Sequence, residues 1–326
     1  MSSKPRVYVT RRIPEEGIDI LRSCAEVRVW PHRLPPSRDV LLREVGEADG
    51  LLSLLTDGID AELIEAAPRL RVISNYAVGY DNIDVPAATA RGIWVTNTPG
   101  VLTEATADFT FALLLAAARR IVEGDRETRC GGWLTWEPQY LLGADVYGAT
   151  LGIIGMGRIG EAVARRARGF SMRVLYTDPN PRGDLESALG IEPAALDTLL
   201  GDSDFISLHA PLTPDTEHLL GPDAFAAMRR GTILVNTARG ELVDEAALVA
   251  ALRDGTVGAA GLDVYAEEPL PADHPLACLP NVVLAPHLGS ATVGARRDMA
   301  TMAAHNLVAA LSGRRPAHPV NSPVSS

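Results

Sequence analysis

The chain has 326 residues, enough for two domains of ordinary size, and 47% of them are apolar while only 5% are aromatic, so its cores are expected to be built from Val, Ile, Leu and Ala. Its 30 basic against 41 acidic residues leave a formal net charge of -11, which argues against nucleic acid or an anionic membrane as a partner. The three cysteines, Cys24, Cys130 and Cys278, are widely spaced and form no CxxC, which suggests neither a disulfide framework nor a zinc site; no metal and a reducing, cytoplasmic location are expected.

The opening "MSSKPRVYVTRRIP" has too short an apolar core for a signal peptide. Short β-branched runs then recur at residues 6–10, 27–30, 50–54, 71–75 and 93–95, with helical patterns between them. After "NTPG" a long helix is expected from Thr103 to about Glu127; its apolar run, 109–118, is about half of what a bilayer demands. A second set of strands follows at 151–155, 173–177, 204–208, 232–235, 258–262 and 282–285, and a last helix at about 290–311. Continuous apolar strands alternating with helices mean parallel sheets covered on both faces, and there are too many strands for one comfortable sheet. The expected fold is therefore α/β, with two doubly wound domains. The last helix is expected to cross back onto the first unit. Residues 1–99 and 289–326 would then form one discontinuous domain with 100–288 inserted in it, and the Pro/Ser-rich tail after Arg315 is expected to be mobile.

"LGIIGMGRIG" places Gly155-x-Gly157-x-x-Gly160 directly after an apolar strand and at the start of a helix. A lone GxGxxG is weak evidence, but strand, tight turn and helix are the context that a dinucleotide needs. The first glycine allows the turn, the second lets backbone approach a pyrophosphate, and the third lets helix pack on strand. Backbone N–H groups from Gly155 through Met156, Arg158 and Ile159 and the helix dipole would then face the phosphates. At the end of the next strand, Asp178 is placed to accept hydrogen bonds from the adenosine ribose and to repel a 2′-phosphate, which favours NAD(H). Arg182, four residues on, leaves NADP(H) open.

Ligands of open α/β sheets bind beyond the carboxyl ends of strands. Three charged or titratable residues sit there: Arg239 in "VNTARG", Glu268 in "GLDVYAEEPL" and His287 in "APHLGS". Alone, each reads as a turn arginine, a solvated acidic loop and a helix-capping histidine. Together they are a constellation.

From "NYAVGYDNID" and "NTPGVLTEATADF" through "GMGRIG", "LHAPLT", "NTARGELVDEAAL", "GLDVYAEEP" and "APHLGSAT", the chain resembles the D-2-hydroxyacid dehydrogenases, and more narrowly their glyoxylate/hydroxypyruvate reductase branch. The resemblance spans nearly the whole chain. It implies a flavodoxin-like substrate domain, a Rossmann dinucleotide-binding domain, an active site in the cleft between them, a homodimer, and reversible hydride transfer between a nicotinamide and a small 2-oxo acid.

Carried over residue by residue, the family's catalytic arginine falls on Arg239, its glutamate on Glu268 and its histidine on His287. Arg239 would bind the substrate carboxylate and polarise the carbonyl with its planar fork, a task for which lysine is a poor replacement. His287 would give its proton to the oxygen at C2, with Glu268 orienting the ring. The adjacent Glu267 competes for that role, but the family's acid directly precedes the proline. Backbone amides at Val78 and Gly79 would hold the carboxylate. Thr103, His209, Pro211, Thr237, Ala238, Asp263 and Gly289 would line the cofactor. Trp133 and Trp136 either pack locally or belong to an arm that reaches a partner subunit. The competing readings are a phosphoglycerate or phosphite dehydrogenase, for which Arg11 and Arg12 are the nearby cations in the first third, and a dinucleotide-sensing corepressor built on the same fold.

Overall fold

A computed structural model of the protein describes residues 4–323. The chain divides into two compact units, one running up to Leu102 and resuming at Ala291, the other spanning Thr103–Ser290.

The first unit alternates β1 (Arg6–Val9), α1 (Glu15–Cys24), β2 (Glu26–Val29), α2 (Arg38–Glu47), β3 (Gly50–Ser53), α3 (Ala61–Glu65), β4 (Val72–Asn75), α4 (Val85–Ala90) and β5 (Trp94–Thr96). Its strands are all parallel and lie in the order β2-β1-β3-β4-β5. That is the flavodoxin-like order. The central strands β3 and β4 are buried at every position, as a sheet covered on both faces requires. Aspartates set two of the helix starts: Asp60 accepts from the Leu63 N–H and Asp84 from the Ala87 N–H.

The second unit opens with α5 (Thr103–Ala118) and α6 (Ile121–Arg129). The single helix expected to about Glu127 is thus two, broken where Arg120 takes a left-handed conformation at φ 52° and its guanidinium turns onto Glu123. Then follow β6 (Thr150–Ile154), α7 (Arg158–Ala167), β7 (Arg173–Thr177), α8 (Gly183–Leu189), β8 (Glu192–Pro193), α9 (Leu196–Asp202), β9 (Phe205–Leu208), α10 (Pro222–Ala227), β10 (Thr232–Asn236), α11 (Glu245–Asp254), β11 (Val257–Leu262) and β12 (Val282–Leu284). Seven parallel strands lie in the order β12-β11-β10-β9-β6-β7-β8, which reverses direction between β9 and β6, the crevice where doubly wound sheets bind dinucleotides. One apolar cluster, including Leu114, Val163 and Ile153, covers one face of this sheet. Another, including Leu199, Leu248 and Ile206, covers the other. Among the described residues no helix is long and apolar enough to cross a membrane.

The final helix α12 (Val293–Leu311) belongs to the first unit and packs on α1, β3 and β4. The tail beyond it departs from the expectation of mobility. Pro319 pairs with Thr96, the Val320 N–H donates to the Val95 carbonyl at 2.7 Å, and the buried Asn321 side chain accepts from the Val95 N–H at 2.8 Å and donates to the Ile93 carbonyl at 2.9 Å. The reason is the edge position of β5: its outward backbone groups need partners, and the tail supplies them. Residues 324–326 lie outside the described residues. Asn321→Ala is expected to lower the stability of the first unit by about 1–3 kcal/mol, because it strands a buried N–H and carbonyl. A urea unfolding midpoint equal to wild type would show the tail to be ornamental.

Candidate active site

Strand β10 is buried along its whole length and stops at Asn236 because that side chain caps the turn it enters. Asn236 Nδ2 donates to the Arg239 carbonyl at 2.7 Å and its Oδ1 accepts from the Ala238 N–H at 3.0 Å. Asparagine at the end of a strand is a turn former for this reason. The turn sends Arg239 out in extended conformation, with its Nη1 on the Ala238 carbonyl at 2.7 Å. Thr237, just before, shares a 2.9 Å hydroxyl hydrogen bond with Thr110 of α5. Gly240 follows, and a Cβ there would run into the backbone of Tyr265 and Ala266. The loop after β10 therefore lies against the loop after β11, an approach only glycine permits.

The loop after β11 is anchored at Asp263. Its N–H continues the ladder onto the Asn236 carbonyl at 2.9 Å. Its own carbonyl accepts from the His287 N–H at 3.0 Å, its Oδ1 from Leu288 N–H at 2.6 Å and its Oδ2 from Gly289 N–H at 2.7 Å. The side chain is buried, and desolvation pushes its carboxyl above the usual range, against the pull of the two backbone N–H groups. Further along, Glu268 Oε1 accepts from the Tyr265 N–H at 3.2 Å, which aims Oε2 at His287 Nδ1, 2.8 Å away. Of the two neighbouring acids it is Glu268, and not Glu267, that meets the histidine. A carboxylate only accepts, so Nδ1 carries the hydrogen and Nε2 is left as the nitrogen that can exchange a proton. Both side chains keep a little under a third of their surface in solvent.

His287 itself has φ 55°, a left-handed conformation that a non-glycine residue adopts at a cost. The three oxygens of Asp263 are what hold it there. Sequence reasoning named Asp263, yet missed this brace, along with Asn236, Gly240 and a second pair, Glu245 and His274. Glu245 Oε1 accepts from the Ala266 N–H at 3.0 Å, and its Oε2 lies 3.3 Å from His274 Nε2. The asparagine at a strand end was the one visible signal among them.

The phosphate cradle lies at the strand-order reversal of the same sheet. Gly155 has φ +95°, and a Cβ on it would come within 2.6 Å of the His209 and Ala210 backbone. A Cβ on Gly160 would strike the Gly155 carbonyl, whereas one on Gly157 would project into open space. Thus two of the glycines close the turn and the middle one leaves room for a ligand. Gly157 offers α7 no side-chain cap, so the first-turn N–H groups at Arg158 and Ile159 remain for an anion. Asp178 Oδ2 accepts from the Met156 N–H at 2.8 Å. On the facing wall the His209 N–H donates to the Ile154 carbonyl at 2.7 Å and its Nε2 meets Ser207 Oγ at 2.8 Å. Burial pushes the pKa of that imidazole down to about 3, so it is neutral. Pro211 continues the same segment, its carbonyl accepting from Thr216 Oγ1 at 2.7 Å. Thr103 is the first residue of α5, Ala238 is half-buried in the Asn236 turn, and Gly289 packs on Thr106 and Asp263. These groups fit a dinucleotide.

In the first unit, Val78 and Gly79 follow β4. Their carbonyls are fixed by Asn97 Nδ2 at 2.7 Å and Asn75 Nδ2 at 2.8 Å, and the Val78 carbonyl shares its peptide plane with the Gly79 N–H, which is thereby oriented too. Arg11 is buried, with Nη1 on the Thr10 carbonyl at 2.7 Å and 3.5 Å from Asp57; Arg12 is exposed. Among the described residues no cluster of His, Cys, Asp and Glu could hold a metal ion.

Residues 111–289 match the sequence profile of the D-isomer specific 2-hydroxyacid dehydrogenase NAD binding domain. A glyoxylate reductase of Korarchaeum cryptofilum is 56% identical over 98% of this chain and 97% of its own. Among solved structures, a protein of Thermus thermophilus superposes with a TM-score of 0.92 at 51% identity, covering 97% of this chain and all of that one. An NADPH-dependent glyoxylate/hydroxypyruvate reductase of Sinorhizobium meliloti, in complex with NADP and malonate, superposes with a TM-score of 0.85 at 33% identity over 99% of both chains.

The brace on His287 can be separated from the acid beside it. Asp263→Asn puts a donor where a backbone N–H now finds a buried acceptor and is expected to cost about 1–3 kcal/mol. Glu268→Gln touches a partly exposed pair and should cost less than about 1 kcal/mol. Urea midpoints in the opposite order would refute the brace.

Proposed function

Because the chain belongs to the D-isomer specific 2-hydroxyacid dehydrogenases, an NAD(P)-dependent oxidoreductase family, we propose that it is a glyoxylate/hydroxypyruvate reductase acting through Arg239, Glu268 and His287. The observation that carries the reading is the 2.8 Å contact of Glu268 Oε2 with His287 Nδ1, beyond the ends of β11 and β12, the two strands that follow in the sheet the one that presents Arg239.

The cradle from Gly155 to Gly160 would hold the pyrophosphate through the first-turn N–H groups at Arg158 and Ile159, because the N–H groups of Gly155 and Met156, contrary to expectation, are taken by the Thr177 carbonyl and by Asp178. Asp178 would take the ribose. Thr103, His209, Pro211, Thr237, Ala238, Asp263 and Gly289 would line the rest. Both Asp263 oxygens already accept a backbone N–H, and each keeps a lone pair for a carboxamide. When bound, the reduced nicotinamide supplies the hydride for C2 of the 2-oxo acid. Arg239 binds the carboxylate and draws electron density onto the carbonyl oxygen. His287 then gives its Nε2 proton to that oxygen, and Glu268, fixed by the Tyr265 N–H, keeps the ring aimed and opposes its positive charge. The first unit, with the amides at Val78 and Gly79, is by the family resemblance the proposed substrate domain.

NADH is the proposed cofactor because Asp178, just past β7 and held on the glycine turn, would repel a 2′-phosphate there. A small substrate is favoured over a phosphorylated one because Arg11, the buried cation after β1, is turned onto Asp57. Neither the phosphoglycerate and phosphite readings nor the corepressor reading is favoured by the reductase relatives. The proposed partner is a second copy of the chain. Between α6 and β6 large apolar side chains stand in solvent, with Leu134 89%, Trp136 77% and Tyr147 78% exposed. Exposed apolar side chains of this size would suit a docking surface, and a self-complementary one closes as a dimer. The free cysteines fit a reducing, cytoplasmic setting.

Oxidation of NADH with glyoxylate and with hydroxypyruvate tests the activity: D-glycerate is the expected product of the second, and L-glycerate, or no turnover of either substrate, overturns the reading. Arg239→Lys keeps the charge but loses the fork, so kcat/KM is expected to fall by roughly ten- to a hundredfold, equivalent to ~1.5–3 kcal/mol. Wild-type constants would return Arg239 to an ordinary turn residue. For the dimer, Leu134→Glu with Trp136→Glu should convert a sedimenting dimer to monomer at micromolar concentration; a monomeric wild type refutes the partner.

A further inference from the structure

Arg182 is the cation that the sequence places to welcome a 2′-phosphate, and its donors are spoken for. Its Nε and Nη2 form a two-pronged contact with Asp184, at 3.0 and 2.9 Å. The other Nη2 hydrogen goes to Glu161 Oε2 at 3.2 Å, and Nη1 donates to the Met156 carbonyl at 2.9 Å. Four of the five guanidinium hydrogens are therefore engaged. The Asp184 contact uses the same planar fork that would grip a phosphate.

Met156 joins this arrangement to Asp178. Its N–H is held by Asp178 and its carbonyl by Arg182, so both side chains grip the centre of the glycine turn. Upstream, the Arg182 N–H donates to the Tyr176 hydroxyl at 2.9 Å, and that hydroxyl donates to Glu186 at 2.6 Å, which fixes where the arginine leaves the backbone. Glu161 also pairs with Arg165, at 2.6 Å. Arg182 and Arg165 thus share Glu161, while Asp184 fills the Arg182 fork.

We propose that Asp184 and Glu161 are specificity residues for the cofactor: by occupying the Arg182 fork they withhold it from a 2′-phosphate, so that preference for NADH rests on three carboxylates and not on Asp178 alone. This rests on the reading of the glycine turn as a dinucleotide site. Arg182 then serves as a clamp on the turn and not as a ligand of the nucleotide. The pairs are partly exposed, with Asp184 65% and Glu161 26% accessible, so each is weak alone. Their effect is masked while Asp178 still repels the phosphate.

That masking makes the inference testable by coupling. Dissociation constants of NADH and NADPH are measured by fluorescence titration for wild type, Asp178→Ser, the pair Asp184→Asn/Glu161→Gln, and all three changes together. The expected result is a gain of a few-fold in NADPH affinity for Asp178→Ser, almost none for the pair, and for the triple variant a gain at least fivefold greater than the product of the two. Adding Arg182→Gln to the triple variant should abolish the excess. Multiplicative gains, an excess that survives Arg182→Gln, or a wild type that binds NADPH as tightly as NADH would overturn the proposal. A wild type that binds neither nucleotide would instead overturn the dinucleotide reading beneath it.

Discussion

A single buried carboxylate, Asp263, governs the geometry of the candidate site. Its two carboxylate oxygens accept from the Leu288 and Gly289 N–H groups, and the backbone carbonyl of the same residue from that of His287. A buried carboxylate needs such donors, and a left-handed histidine needs something to hold it, so the two costs offset each other. Through its own N–H on the Asn236 carbonyl, Asp263 also ties this turn to the strand that presents Arg239. The site therefore inherits the rigidity of the sheet at three neighbouring strand ends, although its side chains sit on loops.

The same economy recurs at the cradle. Met156 is gripped through both of its flanking peptide groups by side chains from beyond β7, so the glycine turn is set before any ligand arrives. A preset turn loses little entropy on binding, which is the physical content of preorganisation. It also explains how an arginine next to a nucleotide site can serve architecture.

What the sequence made legible follows from how far each cause reaches along the chain. Parallel strands such as β9 and β10 are buried on both faces and so announce themselves as unbroken apolar runs. β8 does not, being two residues with Pro193 at the sheet edge. The break at Arg120 carries no glycine or proline, and the helical pattern runs through it. The tail looked mobile because its composition is polar, yet its partners lie on β5, more than two hundred residues upstream. Arg239, Glu268 and His287 were visible because position after a strand is local information. The Asp263 brace, the Gly240 contact and the Glu245–His274 pair were not, because each joins loops that only the folded sheet makes neighbours.

The docking of α12 and Asn321 into the first unit bears on how the protein is made. The second unit is one continuous stretch of chain, whereas the first needs its last helix to cover α1, β3 and β4 and its last described residues to close the edge of β5. During synthesis the inserted unit can complete its core while the ribosome is still translating, but the first unit must wait for α12 and Asn321 with its sheet partly uncovered. The order in which the units are completed thus runs opposite to the order in which they are begun: the part that begins first is finished last.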